Sequence, residues 1–277
     1  MRVRDGKTVT TAFDLDAYLE RIGWEGKPAT TAETLAALLG AHMSSIPFEN
    51  LDILLGRPVQ LGLDHLQQKL VRDCRGGYCF EHGTLFAAAL ECIGFEPVRH
   101  TARVVLFAPR SEVPRTHMFL TVPLAGGTYV VDPGFGALAP RVPVPLVDGA
   151  EARAGSEVHW MVRDGRHWIL RTYLDGKTVD AWVSTLEQEN AADFEMGNHF
   201  TATHPTSPFV NRILMRALAP DGRVTVMNRD VTVARGRETR STQLADRSAL
   251  RGLLAEHFGF DLPEVEQLRV PSIPEWG

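Results

Sequence analysis

Arg75-Gly76-Gly77-Tyr78-Cys79-Phe80-Glu81-His82 sets two glycines and a thiol immediately ahead of an alanine-rich run. The glycines permit a tight turn with φ > 0 and close backbone approach. From Tyr78 to Ile93 the sequence is a strong helix former through Ala87-Ala88-Ala89, and Gly94 suits the position just past a helix end. Cys79 therefore falls in the first turn of a helix, where unpaired N–H groups and the positive end of the dipole favour a thiolate. Cys74 precedes the glycine turn and Cys92 lies near the helix end, where the dipole has the opposite sign. Neither is expected to be activated.

Upstream of this stretch the pattern is also helical. Phe13 to Leu19 opens amphipathic turns that Asp14 or Asp16 can cap, and Thr31-Ala32-Glu33-Thr34 leads into Leu35, Leu38 and Leu39 with a stop expected at Gly40. A further helix is expected from Asp64 to Leu70. Downstream, from Pro97, the periodicity changes. Val98 to Phe107, Met118 to Leu124, Tyr129 to Val131, His167 to Tyr173 and Val179 to Val183 read as antiparallel strands between Gly, Pro and Asp turns. Beyond Phe200 the pattern is mixed. Phe209 to Ala217 reads as strand, Arg223 to Met227 and Asp230 to Arg235 as a hairpin, and Ser248 to Phe258 as a helix. Pro140 to Pro145 and Asn198 to Pro208 are the linker candidates. Helical, β and mixed thirds predict an α+β fold in three packed subdomains.

Composition narrows the function classes. With 277 residues, 44% apolar and 23% charged, the chain is globular and long enough for a sizeable core. A formal charge of −5 without a basic block argues against nucleic acid and against anionic membranes. The apolar runs fall far short of the ~20 residues that span a bilayer. The start, MRVRDGKTVT, has no apolar stretch of signal-peptide type. Three cysteines, an odd number, do not make a disulfide framework. The expectation is a soluble, reduced, cytoplasmic protein.

A thiol needs a base, and the base needs an orienting group. Among ten histidines, His117 stands out because it opens the strand running to Leu124, while Asp132 closes the next strand, Tyr129 to Asp132. Ala125-Gly126-Gly127 lies between them as a hairpin turn. With a two-residue turn at Ala125-Gly126, Leu124 pairs with Gly127 and Asp132 falls opposite Phe119. His117 and Asp132 then share a face as diagonal neighbours, with Cα atoms roughly 7–8 Å apart, within reach of a hydrogen bond. A turn centred on Gly126-Gly127 moves Asp132 opposite Thr121, and a three-residue loop puts the two on opposite faces. Alone, Asp132 reads as the start of the turn Asp132-Pro133-Gly134, and His117 as a core histidine. Together with Cys79 they make the set that thiol acyl transfer requires.

At this point the sequence resembles the arylamine N-acetyltransferases of bacterial type. Ile46-Pro47-Phe48-Glu49-Asn50-Leu51-Asp52 is similar to the family's N-terminal signature, Arg75 to Glu81 to its nucleophile motif, Thr116-His117-Met118 to its histidine block and Val131-Asp132-Pro133-Gly134-Phe135-Gly136 to its aspartate block. The segment Thr203 to Val210 also resembles the bacterial form. The resemblance implies an N-terminal helical bundle carrying the nucleophile (1–94), a central antiparallel β-barrel carrying His117 and Asp132 (95–199) and a C-terminal α/β lid (200–277), around a cysteine-peptidase-like core. It implies two-step acetyl transfer from acetyl-CoA to primary arylamines, arylhydrazines or arylhydroxylamines, with catalytic residues Cys79, His117 and Asp132. The motif departs from common bacterial members at Gly83, where Asn is usual. A glycine early in a helix weakens it by up to about 1 kcal/mol.

By the same resemblance Thr116, Phe135, Gly136, His204 and Thr206 are expected along the acetyl-CoA path, and Phe48 and Phe135 at the acceptor. Phe119 shares the strand face of His117 and is a candidate wall of an aromatic acceptor pocket. Arg75 is expected to pair with Glu49 or Glu81, by default as a surface salt bridge. The histidines show no metal-like spacing, so no metal is expected. The expected partners are acetyl-CoA and small aromatic amines or hydrazines, without nucleic acid or membrane, in a monomer or weak homo-oligomer. Two alternatives use the same Cys-His-Asp order. One is a papain-like or transglutaminase-like thiol hydrolase or acyltransferase, and the other an amide-forming biosynthetic relative.

Overall fold

The computed structural model describes residues 13–219, 222–236 and 238–276. Asp14 accepts from the Ala17 N–H at 3.1 Å and starts α1 (Leu15–Arg21), and Thr31 accepts from the Thr34 N–H at 3.2 Å and starts α2 (Ala32–Ser45). α2 runs through Gly40, past the expected stop, because His42 and Met43 continue its buried face. Their burial outweighs the roughly 1 kcal/mol that one interior glycine costs. α3 (Leu51–Leu54) and α4 (Leu63–Leu66) are short, and α4 runs on into a π-turn over Gln67–Arg72. α5 (Cys79–Ile93) begins at the expected thiol and ends at Gly94, whose φ of +108° is open to glycine.

The middle of the chain forms β1 (Val98–Val104), β2 (Arg115–Leu124), β3 (Gly127–Val131), β4 (Val144–Pro145), β5 (Glu151–Ala154), β6 (Glu157–Asp164), β7 (His167–Leu174) and β8 (Lys177–Ser184). They make one antiparallel sheet in the order β4-β3-β2-β1-β8-β7-β6-β5. Its two end strands approach each other, so the sheet nearly closes around Phe119, Met161, Leu170 and Trp182. The strands β4, β5 and β6 lie where no strand was expected. Pro140 to Pro145, expected as linker, ends in β4, and Val144 is buried in the sheet interior.

α6 (Ala191–Thr203) and α7 (Pro208–Asn211) replace most of the second expected linker, and the boundary expected after 199 falls inside α6. Gly197 is what allows α6 to lie close: a Cβ there would meet Phe80 Cζ at 2.8 Å and the Arg115 carbonyl at 3.1 Å. The last part is a four-stranded antiparallel sheet, β9 (Leu214–Ala219), β10 (Gly222–Met227), β11 (Asp230–Arg235) and β12 (Glu238–Gln243), followed by α8 (Arg247–Leu253). The strand expected from Phe209 starts only at Leu214, because Ser207 and Pro208 begin α7 instead. This last sheet and α8 share a separate apolar cluster that includes Leu250, Val265 and Trp276. Phe48 and Arg216 exchange backbone hydrogen bonds of 2.8 and 2.9 Å and fasten this unit to the N-terminal part. Among the described residues no helix is long and apolar enough to cross a membrane.

Candidate active site

The hairpin β2–β3 has the two-residue turn at Ala125-Gly126: Leu124 pairs with Gly127 and Leu120 with Val131. Asp132 continues past β3 on the face of His117. His117 Nε2–H donates to Asp132 Oδ2 at 2.8 Å, and both side chains are buried. Trp182 Nε1–H donates to the same oxygen at 2.9 Å, and the Gly134 N–H donates to Oδ1 at 3.3 Å. The carboxylate is thereby held on both oxygens. Burial works against a charge on His117, but the Asp132 carboxylate and a hydrogen bond with Cys79 outweigh it and push the imidazole up to about 10.

With Nε2 engaged by Asp132, Nδ1 of His117 is left for the thiol. Cys79 is 3% exposed, and its Sγ lies 3.7 Å from the Thr116 carbonyl. Asp132-Pro133-Gly134 lies directly against it: a Cβ on Gly134 would meet Cys79 Cα at 2.6 Å. Phe135 sets its ring edge on His117 at 4.8 Å between centroids. Phe48 lies within 3.4 Å of a Cβ on Gly136 and packs against Phe209, which in turn meets Tyr78. Half-buried Thr116 and Phe135 thus border Cys79 and His117, while half-buried Phe48 and Phe209 pack on the adjoining Gly136 and Tyr78.

Phe119 lies elsewhere than expected. It is fully buried and stacks on Trp182 at 4.1 Å, because its strand face turns into the interior of the nearly closed sheet. It backs the His117–Trp182 pair and presents no wall to solvent. His204 and Thr206 sit together on an exposed turn, joined by a 2.9 Å hydrogen bond between Nδ1 and Oγ1. Gly83 packs against a flexible side chain: a Cβ there would come within 3.0 Å of Met118 Cγ.

The Arg75 pairing is internal, which overturns the surface reading. Arg75 Nη2 and Nε reach Glu49 Oε1 at 2.6 and 3.1 Å, and Nη2 reaches Asp52 at 3.2 Å. Its partner is Glu49; Glu81 belongs to Lys69, which bridges Asp52 at 2.7 Å and Glu81 at 2.8 Å. Glu81 Oε2 also accepts the Tyr78 N–H at 3.0 Å, clamping the turn before the thiol. Burial raises the carboxyl of Glu81, and Lys69 and Arg75 together hold Asp52 low against its own burial. The rest of Phe48-Glu49-Asn50 also gains a role: Asn50 Nδ2 donates to the Phe209 and Arg212 carbonyls at 2.8 Å, and its Oδ1 accepts from the Leu214 N–H at 2.9 Å.

Sequence reasoning missed Lys69, Trp182 and Phe209. Trp182 lies on β8, which is separated from β2 by β1 in the sheet, and no local pattern marks it. Among the described residues no group of three or more His, Cys, Asp or Glu side chains is placed to hold a metal ion.

The N-acetyltransferase family model matches residues 31–267. The arylamine N-acetyltransferase of Mycolicibacterium smegmatis is 36% identical over 259 residues, covering 92% of this chain and 94% of that protein. The chain belongs to the arylamine N-acetyltransferase family. The arylamine N-acetyltransferase of Escherichia coli is 33% identical over 254 residues, covering 91% of this chain and 90% of its own. The structure of the Mycobacterium marinum arylamine N-acetyltransferase in complex with CoA superposes with a TM-score of 0.85 at 33% identity, covering 91% of this chain and 94% of that one. The α+β fold of this arylamine N-acetyltransferase family member, with its nearly closed sheet, is therefore shared with solved members.

Proposed function

We propose that this protein transfers an acetyl group from acetyl-CoA to a primary arylamine, arylhydrazine or arylhydroxylamine through an acetyl-cysteine on Cys79. The observation that carries the reading is the buried line from Cys79 through His117 to Asp132. In the first step the Cys79 thiolate attacks the thioester carbonyl. The bond to the CoA sulfur breaks, and CoA leaves with the proton from the His117 imidazolium. In the second step the amine attacks the acetyl-cysteine, His117 takes the amine proton and the Cys79 thiolate is released. Asp132 keeps the ring oriented and stabilises its charged form. The N–H groups of Cys79 and Phe80 stand in the first turn of α5, ahead of the bonds from Glu81 and His82 to the Tyr78 carbonyl, and serve as the oxyanion donors.

Donor chemistry has support in a cleft of about 400 Å³ lined by Arg103, Arg110, Ser111, Arg115, Arg166 and His167. Arg115 on its wall precedes Thr116 in β2, and the Thr116 carbonyl lies 3.7 Å from Cys79 Sγ. The guanidinium groups of the cleft suit the phosphates of a CoA-type donor. Asp164, Glu187 and Glu189 share part of that charge. A donor seated there threads its thioester past Thr116 and Phe135, while Phe48 and Phe209 offer ring faces to an aromatic acceptor. The division into bundle, barrel and lid belongs to the same reading, with the lid carrying Phe209.

Initial-rate kinetics test the order of events. Varying acetyl-CoA at several fixed concentrations of an arylamine should give parallel double-reciprocal lines. Intersecting lines would show that both substrates must bind before any chemistry, and the acetyl-cysteine step would be withdrawn.

A further inference from the structure

Behind the thiol, and apart from the His117–Asp132 pair, lies a second buried row of titratable side chains. Tyr18, His42 and His82 are all fully buried. Tyr18 Oη lies 2.9 Å from His42 Nδ1, His42 Nε2 lies 2.8 Å from His82 Nδ1, and His82 Nε2 lies 3.2 Å from the Pro47 carbonyl oxygen. The direction of this row is forced from its end. A carbonyl only accepts, so His82 carries its proton on Nε2 and its Nδ1 accepts from His42 Nε2–H. His42 Nδ1 must then accept from the Tyr18 hydroxyl. Both rings are neutral in this arrangement, as burial demands: it pushes His42 well down and His82 down to about 4.

The Pro47 carbonyl at the end of the row is a junction. It also accepts the Gly77 N–H at 3.2 Å, and the Glu49 N–H returns to the Gly77 carbonyl at 2.8 Å. Contact is so close that a Cβ on Gly76 would meet the same Pro47 oxygen at 2.1 Å. His82 lies in the first turn of α5 with Cys79, so its bond to Pro47 ties that turn to the strand-like segment supporting Gly76-Gly77.

We propose that Tyr18, His42 and His82 form a one-way hydrogen-bond row that fixes the Pro47 carbonyl against the glycine turn, and that His82 is thereby a positioning residue for Cys79. The inference rests on Cys79 as the reacting group. It assigns a function to His82, whose two ring nitrogens are engaged by His42 and the Pro47 carbonyl. Partly satisfied polar rows in a low dielectric are costly, and a fully satisfied one specifies a single geometry.

Two conservative variants separate the two ends of His82. In His82→Gln the side-chain amide reaches the place of Nε2 and still donates to Pro47. In His82→Asn the amide oxygen reaches the place of Nδ1 and still accepts from His42, but nothing reaches Pro47. The readout is the rate of Cys79 alkylation by iodoacetamide at slightly acid pH, located by peptide mapping, with Tm measured alongside. His82→Gln should stay within about twofold of the wild type and His82→Asn should fall about tenfold, although both lose one bond and lower Tm alike. A merely structural residue would affect both variants equally. Equal rates for the two variants, fast or slow, overturn the inference. Should His82→Asn fail to fold, Tyr18→Phe carries the test: losing the hydroxyl frees the His42 tautomer and should slow alkylation about threefold, and an unchanged rate overturns the proposal. Wild-type protein that alkylates at Cys79 but takes no acetyl group from acetyl-CoA would instead sink the transfer reading, leaving this inference to be settled by the variants.

Discussion

His117 Nε2 lies 2.8 Å from Asp132 Oδ2 although the two residues are diagonal, not opposite, across the β2–β3 hairpin. The carboxylate holds a proton on a buried imidazole whose ordinary value is 6.5 and is here raised to about 10. A histidine shifted up in this way stabilises the fold fully below its ordinary value. That contribution is lost as pH rises through 6.5 towards 10, since the folded state then holds a proton the unfolded state has released. Urea denaturation at neutral and at alkaline pH should show the wild type losing more stability over that window than His117→Gln. Equal losses would mean that the pair does not hold the charge.

Asp132→Asn should lower acetyl transfer by about 10³-fold, because an amide carries no charge to stabilise the His117 imidazolium, and with its oxygen towards His117 and Trp182 its NH2 would meet the Gly134 N–H, donor against donor. Trp182→Phe removes one donor to Asp132 Oδ2 and keeps the stack on Phe119. It should cost about tenfold in kcat and 1–2 kcal/mol in stability, read from steady-state rates and urea midpoints.

Gly134 and Gly83 face different neighbours. A Cβ on Gly134 would strike the backbone of Cys79 at 2.6 Å, whereas one on Gly83 meets the flexible Met118 side chain at 3.0 Å. Gly134→Ala should therefore reduce kcat by about a hundredfold through displacement of the thiol. Gly83→Ala should leave the rate within about twofold and change stability by no more than about 1 kcal/mol.

Glu49 and Arg75 are both nearly sealed from solvent, so their pair differs from the exposed Arg57–Glu264 pair. Glu49→Gln leaves a buried guanidinium short of charge and should destabilise by about 3 kcal/mol. It should also slow Cys79 alkylation, since the Glu49 side chain holds Arg75 at the head of the glycine turn and lies against Gly76. Arg57→Ala, measured by the same denaturation, should change stability by less than about 1 kcal/mol.

The sequence showed most clearly what local spacing controls. Gly76-Gly77 ahead of Cys79 and Gly94 behind Ile93 each set a helix terminus, whereas the sequence left the hairpin turn open among three placements, of which the structure has the one at Ala125-Gly126 that brings His117 to Asp132. What it concealed depends on strands distant in sequence. Trp182 reaches Asp132 because β1 joins β2 to β8, and Phe119 turns inward because the sheet nearly closes. Lys69 carries no local mark in the sequence: it reaches Glu81 because α4 and its π-turn pack beside α5. The helix through Asn198 was hidden because its buried face is Phe194, Gly197, Asn198 and Thr201, while the apolar Met196 points to solvent.

The central claim is most directly tested by intact mass spectrometry of the protein mixed with acetyl-CoA in the absence of any amine, followed by peptide mapping. The account predicts one added acetyl group, on the peptide containing Cys79, which disappears when an arylamine is supplied. No adduct, or an adduct that persists in Cys79→Ala, would contradict it.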